Sequence, residues 1–211
     1  AVHDAGVHRD MPYLVMEYAP GRTLDDLVAD HGHLDPSEGS RRLPHVAEAL
    51  DAAHALGILH RDVKLANILA VEREDGRTLY KLADFGVARM TGQKELDLLG
   101  PRKTAEGLIV GTPAYMSPEQ IGGMPDYGSS VDLWALGVVL YESLTGQLPF
   151  NSVSLTELAM EIAGRPHPAP ATLQPALGRR IEAVCEKARA KRPEDSFATA
   201  SEMASAFANS L

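Results

Sequence analysis

Apolar positions fall into two regimes along the chain. Residues 12–18, Pro-Tyr-Leu-Val-Met-Glu-Tyr, are rich in β-formers and are closed off by Pro20-Gly21, which predicts a strand. Val2 reads as the remnant of an earlier strand. Thr23 is placed to cap a short helix over 24–30. Pro36-Ser37-Glu38 opens a longer helix running to Gly57, with Leu43, Val46, Leu50, Ala53 and Leu56 as its buried stripe. Pro44 lies inside that helix, where it removes a hydrogen bond and crowds the preceding turn, so a kink or a later start is expected. Short β-rich pieces follow at 58–59, 68–71 and 79–83, with a turn at Asp75-Gly76. Residues 90–110 have no sustained period and read as a long loop. Helical segments are then expected at about 117–121, 130–145, 154–163, 176–189 and 199–208, separated by Gly and Pro.

Composition narrows this picture. The 211 residues are 45% hydrophobic and 23% charged, which suits one folded domain and excludes disordered or fibrous classes. A net charge of −9 argues against a nucleic-acid binder, which needs a basic footprint. A single cysteine, Cys185, excludes a disulfide framework and a Cys-cluster metal site; its apolar helix face suggests an inert buried thiol. The remaining histidines show no ligand spacing, so no zinc site is expected. The most apolar run, 133–141, is far shorter than the roughly 20 residues a bilayer span requires. No signal peptide is visible, and a cytoplasmic location is expected, leaving open an anchor outside this sequence.

The densest polar text is His60-Arg61-Asp62-Val63-Lys64-Leu65-Ala66-Asn67, lying between two β pieces. Asp62 is suited to accept a proton, Lys64 to hold an anionic oxygen, and Asn67 to offer an amide oxygen to a hard cation. Asp84, in Asp84-Phe85-Gly86, adds a carboxylate of the kind that binds Mg²⁺ alongside phosphate oxygens. Together they make half of a phosphoryl-transfer site.

These residues resemble the catalytic loop and the metal-binding motif of protein kinases. Gly111 to Met116 and Ser117-Pro118-Glu119 are similar to the end of the family's activation segment, and Asp132 to Gly137 to the start of its central buried helix. Lys64 is of the serine/threonine type. The phrasing of 54–69 and 111–120 most resembles bacterial eukaryotic-like serine/threonine kinases. The resemblance implies an α+β, protein-kinase-like fold: a mostly helical C-lobe with remnant N-lobe strands and hinge. Residues 1–19 would be the end of the N-lobe and the hinge, and 20–211 the C-lobe.

By the same resemblance Asp62 would orient the substrate hydroxyl and take its proton, and Lys64 would steady the transferred phosphoryl group. Asn67 and Asp84 would hold Mg²⁺. Glu17 and Ala19 would face the adenine of ATP through backbone groups, with Met16 as gatekeeper and Leu69 as the floor. Thr112 would bond near Asp62 and Lys64, and His60 and Phe85 would stack. Arg61 would pair with a phosphorylated Thr104 or Thr91. The partners implied are ATP and a protein bearing a Ser/Thr acceptor.

The sequence departs from the family in four respects. It has no Gly-x-Gly-x-x-Gly and no Val-Ala-x-Lys before the catalytic loop, so the chain is read as truncated at its start and nearly inactive alone. Pro44 interrupts a helix that is normally continuous. Leu65 replaces a proline, a mild change. Ser196 stands where the family carries an arginine that pairs with Glu119; loss of a buried carboxylate's partner costs about 3–5 kcal/mol. Arg192, nearby, is a candidate substitute partner. The alternative reading is a non-catalytic protein-binding module. Exposed strand edges in either case predict marginal stability or self-association.

Overall fold

The computed structural model describes residues 2–9, 11–85, 113–124 and 127–211. Thr91, Thr104 and Thr112, together with Gly86 and Gly111, lie outside the described residues.

The chain opens on an antiparallel hairpin. Strands β1 (Val2–His8) and β2 (Met11–Met16) pair with Ala5 opposite Leu14 and His8 opposite Met11. The described strand runs from Val2 for seven residues, with a register irregularity between Val2 and Asp4. The second strand also starts and stops earlier than its composition suggested.

A second sheet is built from β3 (Arg22–Thr23), β4 (Ile68–Glu72) and β5 (Thr78–Leu82), all antiparallel, with β4 in the middle. The β3 pairing brings the chain so close that a Cβ at Gly21 would lie 2.2 Å from the Ala70 carbonyl oxygen, so only glycine fits there. Residues 58–59, expected as a β piece, are irregular, and no strand pairs with them among the described residues.

Helix α1 (Leu24–His31) is entered through a capping box. Asp26 N–H donates to Thr23 Oγ1 at 3.1 Å, and Thr23 N–H donates to Asp26 Oδ2 at 2.9 Å. Helix α2 (Pro36–Ala55) starts at its proline, with Asp35 accepting from Ser37 N–H at 2.8 Å. It runs through Pro44 as one element and does not start late. Leu43, Val46, Ala47 and Leu50 on both sides of Pro44 are buried, and that packing offsets the missing hydrogen bond. The expected stripe ends at Ala53; Leu56 is 77% exposed because the helix has already ended.

After β5 come the short α3 (Pro118–Ile121) and α4 (Ser130–Thr145). Then follow α5 (Leu155–Gly164), α6 (Pro170–Leu173), α7 (Arg179–Ala188) and α8 (Ala200–Ala208). The segment expected at 176–189 starts later, at Arg179, and α6 lay unread because four residues carry no period.

Helix α4 is buried on nearly every side and organises the core. On one face Leu136 and Leu140 join a core cluster with Leu50 of α2, Cys185 of α7 and Phe207 of α8; another holds a smaller cluster of Trp134, Val138, Phe150 and Ile162. Burial pushes the Cys185 thiol pKa up, which keeps it protonated. Among the described residues no helix is long and apolar enough to cross a membrane.

Candidate active site

The polar loop between α2 and β4 is held in place from behind. Asp132, in the first turn of α4, has no exposed surface. Its Oδ1 accepts from Arg61 N–H at 2.7 Å, and its Oδ2 accepts from His60 N–H at 2.8 Å and meets His54 Nε2 at 2.8 Å. Arg61 has φ +64°, a conformation that costs a non-glycine residue about 1–3 kcal/mol. Those bonds hold it. Asp84 has φ +57° in the same site. Sequence reasoning used Asp132 only to mark the start of a helix. An acidic residue at the head of an otherwise apolar helix was the available signal.

His60 is buried beneath the loop. Its Nε2 lies 2.9 Å from the Ala83 carbonyl oxygen and its Nδ1 accepts from Asp62 N–H at 3.3 Å. A donor on Nε2 and an acceptor on Nδ1 is the neutral ring, and burial lowers its pKa in agreement. The Phe85 ring packs on it at a tilt, centroids 4.6 Å and planes 52° apart, where the resemblance implied stacking.

Three predicted residues converge in front of this support. Asp62 Oδ2 accepts from Lys64 Nζ at 2.8 Å and from Asn67 Nδ2 at 2.9 Å. Asn67 Nδ2 also donates to the Asp62 carbonyl at 2.8 Å, which fixes the amide so that its oxygen is the end left for another ligand. Asn67 ends a 3-10 turn, Leu65–Asn67, whose Leu65 is buried in the core.

Asp84 reaches Asn67 through sheet register. Ile68 pairs with Leu82, and Ala83 N–H donates to the Asn67 carbonyl at 2.8 Å, so Asp84 follows immediately beside Asn67 with its carboxylate exposed. Two oxygen donors on adjacent strand ends suit Mg²⁺, which keeps most of its shell for phosphate and water.

The residues expected to form the hinge follow the first hairpin. Met16 ends β2, half exposed, and Glu17 and Ala19 follow it. Glu17 pairs with Lys81, which holds its carboxyl well below the usual range. Lys81 is paired across the sheet with Leu69. The Glu17–Lys81 pair thus links the expected hinge to the strand neighbour of the expected floor, Leu69.

Arg61 lies over the Tyr127 ring at 5.7 Å. Beyond the loop, the Tyr115 hydroxyl donates to Glu142 on α4, a pair sequence reasoning passed over. Burial raises both, Glu142 to about 7.

Among the described residues Glu119 makes no ion pair. Its Oε1 accepts from Ser130 Oγ at 2.8 Å. Arg192 does not substitute as its partner: it is 71% exposed at its side chain and pairs with Glu194 and Asp195. Residues 193–195 form a 3-10 turn that keeps those two acids next to it.

A small antiparallel sheet, a helical lobe around one buried helix, and an Asp-Lys-Asn loop beside an Asp-Phe turn define the protein kinase class. The protein kinase domain family matches residues 2–204, and the chain belongs to that family. It is 39% identical over 211 residues to the serine/threonine-protein kinase Pkn1 of Myxococcus xanthus, covering 100% of this chain and 29% of that protein. It is 36% identical over 207 residues to the serine/threonine-protein kinase PknB of Mycobacterium tuberculosis, covering 96% of this chain and 32% of that one. The crystal structure of the Mycobacterium tuberculosis PknI kinase domain superposes with a TM-score of 0.74 at 27% identity, covering 100% of this chain and 71% of that one. The chain thus spans under a third of the length of the curated relatives it matches.

Proposed function

We propose that this chain is the larger part of a serine/threonine kinase domain, transferring the γ-phosphoryl group of ATP to a protein Ser or Thr hydroxyl. The observation that carries the reading is the convergence of Lys64 and Asn67 on one oxygen of Asp62, with Asp84 beside Asn67.

Asp62 Oδ1 accepts no hydrogen bond among the described residues, so it is the oxygen that takes the substrate proton. As the hydroxyl oxygen bonds to the γ-phosphorus, the bond from that phosphorus to its bridging oxygen breaks and the electron pair leaves with ADP. Lys64 lies close enough to hold a phosphoryl oxygen while it steadies Asp62. Asn67 and Asp84 would hold Mg²⁺, which supplies charge neutralisation at the phosphates when bound. Met16, Glu17, Ala19 and Leu69 are the residues assigned to the adenine, and Arg61, Thr104 and Thr112 to regulation and acceptor choice. A cytoplasmic setting goes with this reading.

Positioning and charge stabilisation do most of the work in phosphoryl transfer, and this sequence has no Gly-rich loop or Val-Ala-x-Lys strand to grip the phosphates. The isolated chain is therefore expected to incorporate radiolabel from γ-labelled ATP only near background. Joining it to the upstream lobe of a relative should restore transfer to Ser/Thr peptides, and Asp62→Asn in that chimaera should lower it by about 10²–10⁴-fold. A folded chimaera that binds ATP yet transfers nothing would leave the protein-binding reading instead.

A further inference from the structure

Arg189, just past the end of α7, is a charged residue with 2% of its surface exposed. Its Nη1 donates to the Gly137 carbonyl of α4 at 3.0 Å, and its Nη2 donates to His167 Nε2 at 3.0 Å. The buried Nε has no hydrogen-bond partner among the described residues. No carboxylate pairs with this guanidinium among the described residues; Glu186, on the same helix, is exposed and makes no ion pair with it. Two residues on, the half-buried Lys191 ammonium donates to the Glu161 and Ile162 carbonyls at 3.3 and 2.7 Å and also meets no carboxylate among the described residues. Both cations rest on aromatic rings, Arg189 at 4.3 Å from the Tyr141 centroid and Lys191 at 4.3 Å from that of Phe150. Burial keeps the Tyr141 hydroxyl and the Cys185 thiol protonated, so neither supplies a negative charge. Burial, and then the charge on Arg189, push Lys191 down to about 8. Ring faces and carbonyls offset part of what it costs to bury two cations together; a counter-ion is the missing part.

We propose that Arg189 and Lys191 form a binding site for a phosphate group, closed in this structure by the His167 ring. Charge selects the ligand. Two neighbouring cations call for a dianion, and a carboxylate would leave one of them unanswered. A guanidinium fork beside an ammonium also matches the several oxygens of a phosphate. His167 fills the place an anion would take. Its Nδ1–H donates to the Pro168 carbonyl at 2.9 Å, which makes Nε2 the neutral acceptor that faces Arg189. Tyr141 and Phe150 meet the ring edge-on, centroids 5.5 and 6.3 Å away. Burial, and then the Arg189 charge, hold its pKa at about 4, so it covers the cations without neutralising them. The ring is half-buried and is carried by the connection between α5 and α6, where Pro166 and Pro168 on either side are exposed. Swinging it into water uncovers the guanidinium and gives a phosphate of similar bulk its place.

Two signals report on the site without phosphoryl transfer. One is the His167 ring resonance in NMR. The other is the fluorescence of Trp134, the single tryptophan of the chain, whose ring centroid lies 5.3 Å from the Lys191 ammonium. The 211-residue chain is titrated with inorganic phosphate at low millimolar concentrations, sodium chloride holding the ionic strength, and in parallel with sodium acetate and with a phosphoserine peptide. Phosphate should shift both signals saturably and raise the His167 pKa by about 1–2 units, because the dianion offsets the two cations that kept the ring neutral. The peptide arm separates free phosphate from a phosphorylated side chain; a response to either supports the site. Arg189→Leu should abolish the response and melt at a higher temperature without phosphate, since a buried charge is gone. His167→Ala should bind phosphate more tightly, read by Trp134. No saturable shift with phosphate or the peptide overturns the proposal. So does an equal shift with acetate, a response that persists in Arg189→Leu, or weaker binding by His167→Ala. None of these outcomes bears on the kinase reading.

Discussion

Asp132 lies inside α4 without exposed surface, and its carboxylate takes donors from His54, His60 and Arg61. It touches none of the atoms that would react, yet it sets the backbone from which Asp62 projects. Asp132→Ala strips the buried His60 N–H and the part-buried Arg61 N–H of their acceptor, and loss of a buried group's partner costs about 1–3 kcal/mol. The variant should lose about 3 kcal/mol in urea unfolding; an unchanged midpoint would show that the loop is held by something else. Glu142 is a second residue whose weight lies in its burial. Its pKa is raised to about 7 from an ordinary 4.5, so the folded protein binds this proton more tightly than the unfolded chain does. That stability is fully present below about pH 4.5 and is lost as pH rises through about 7. The difference in unfolding free energy between the parent and Glu142→Gln should therefore change across that window, the parent losing ground as pH rises. A pH-independent difference would contradict it. That Asp62, Lys64, Asn67 and Asp84 form one set was legible because their types and spacing suggest a shared chemistry, the one proposed for them. Asp132 and Glu142 were not, since what makes them matter is the donor each meets from a distant segment.

Among the elements, α4 shows why close approach outranks local preference. It ends at Gly146 with φ +72°, and a Cβ there would stand 1.9 Å from the Gly32 carbonyl oxygen. Gly57 has nearly the same backbone, φ +73°, with nothing within 4 Å. Gly57→Ala should cost only the left-handed penalty, about 1 kcal/mol. Gly146→Ala should cost that plus the displacement of backbone, about 2–4 kcal/mol in total. Equal losses in thermal unfolding would mean the loop at Gly32 yields freely. Helix periods located α2, α4, α5 and α8 because each has a face to bury. They misjudged Leu56 and the start of α7, because where a helix stops depends on caps and neighbours, not on the stripe. Pro44 would end an isolated helix; in α2 the buried residues around it hold the turn together.

At the scale of the molecule, the hairpin β1–β2 stands apart from the core. Val7 and Met11 are each 70% exposed, and Tyr13, Val15 and Met16 are more than 40% exposed. An apolar two-stranded ribbon with open edges is marginal in water and pairs readily with other chains. The isolated chain should show a mass that rises with concentration in sedimentation, and replacing Met11 and Val15 by Lys should return it to a monomer. A sharp monomer peak from the unaltered chain at all concentrations would rule this out. By itself the sequence determined the residue types of the candidate site, their order, most helices and the resemblance that names the family, because period and motif are local properties of a chain. Only the tertiary structure decided which carboxylate supports the loop, that Arg192 turns away from Glu119, and that Arg189 is buried against α4. Those depend on where α3, α4 and α7 come to rest against one another, and packing between distant segments leaves no trace in local spacing.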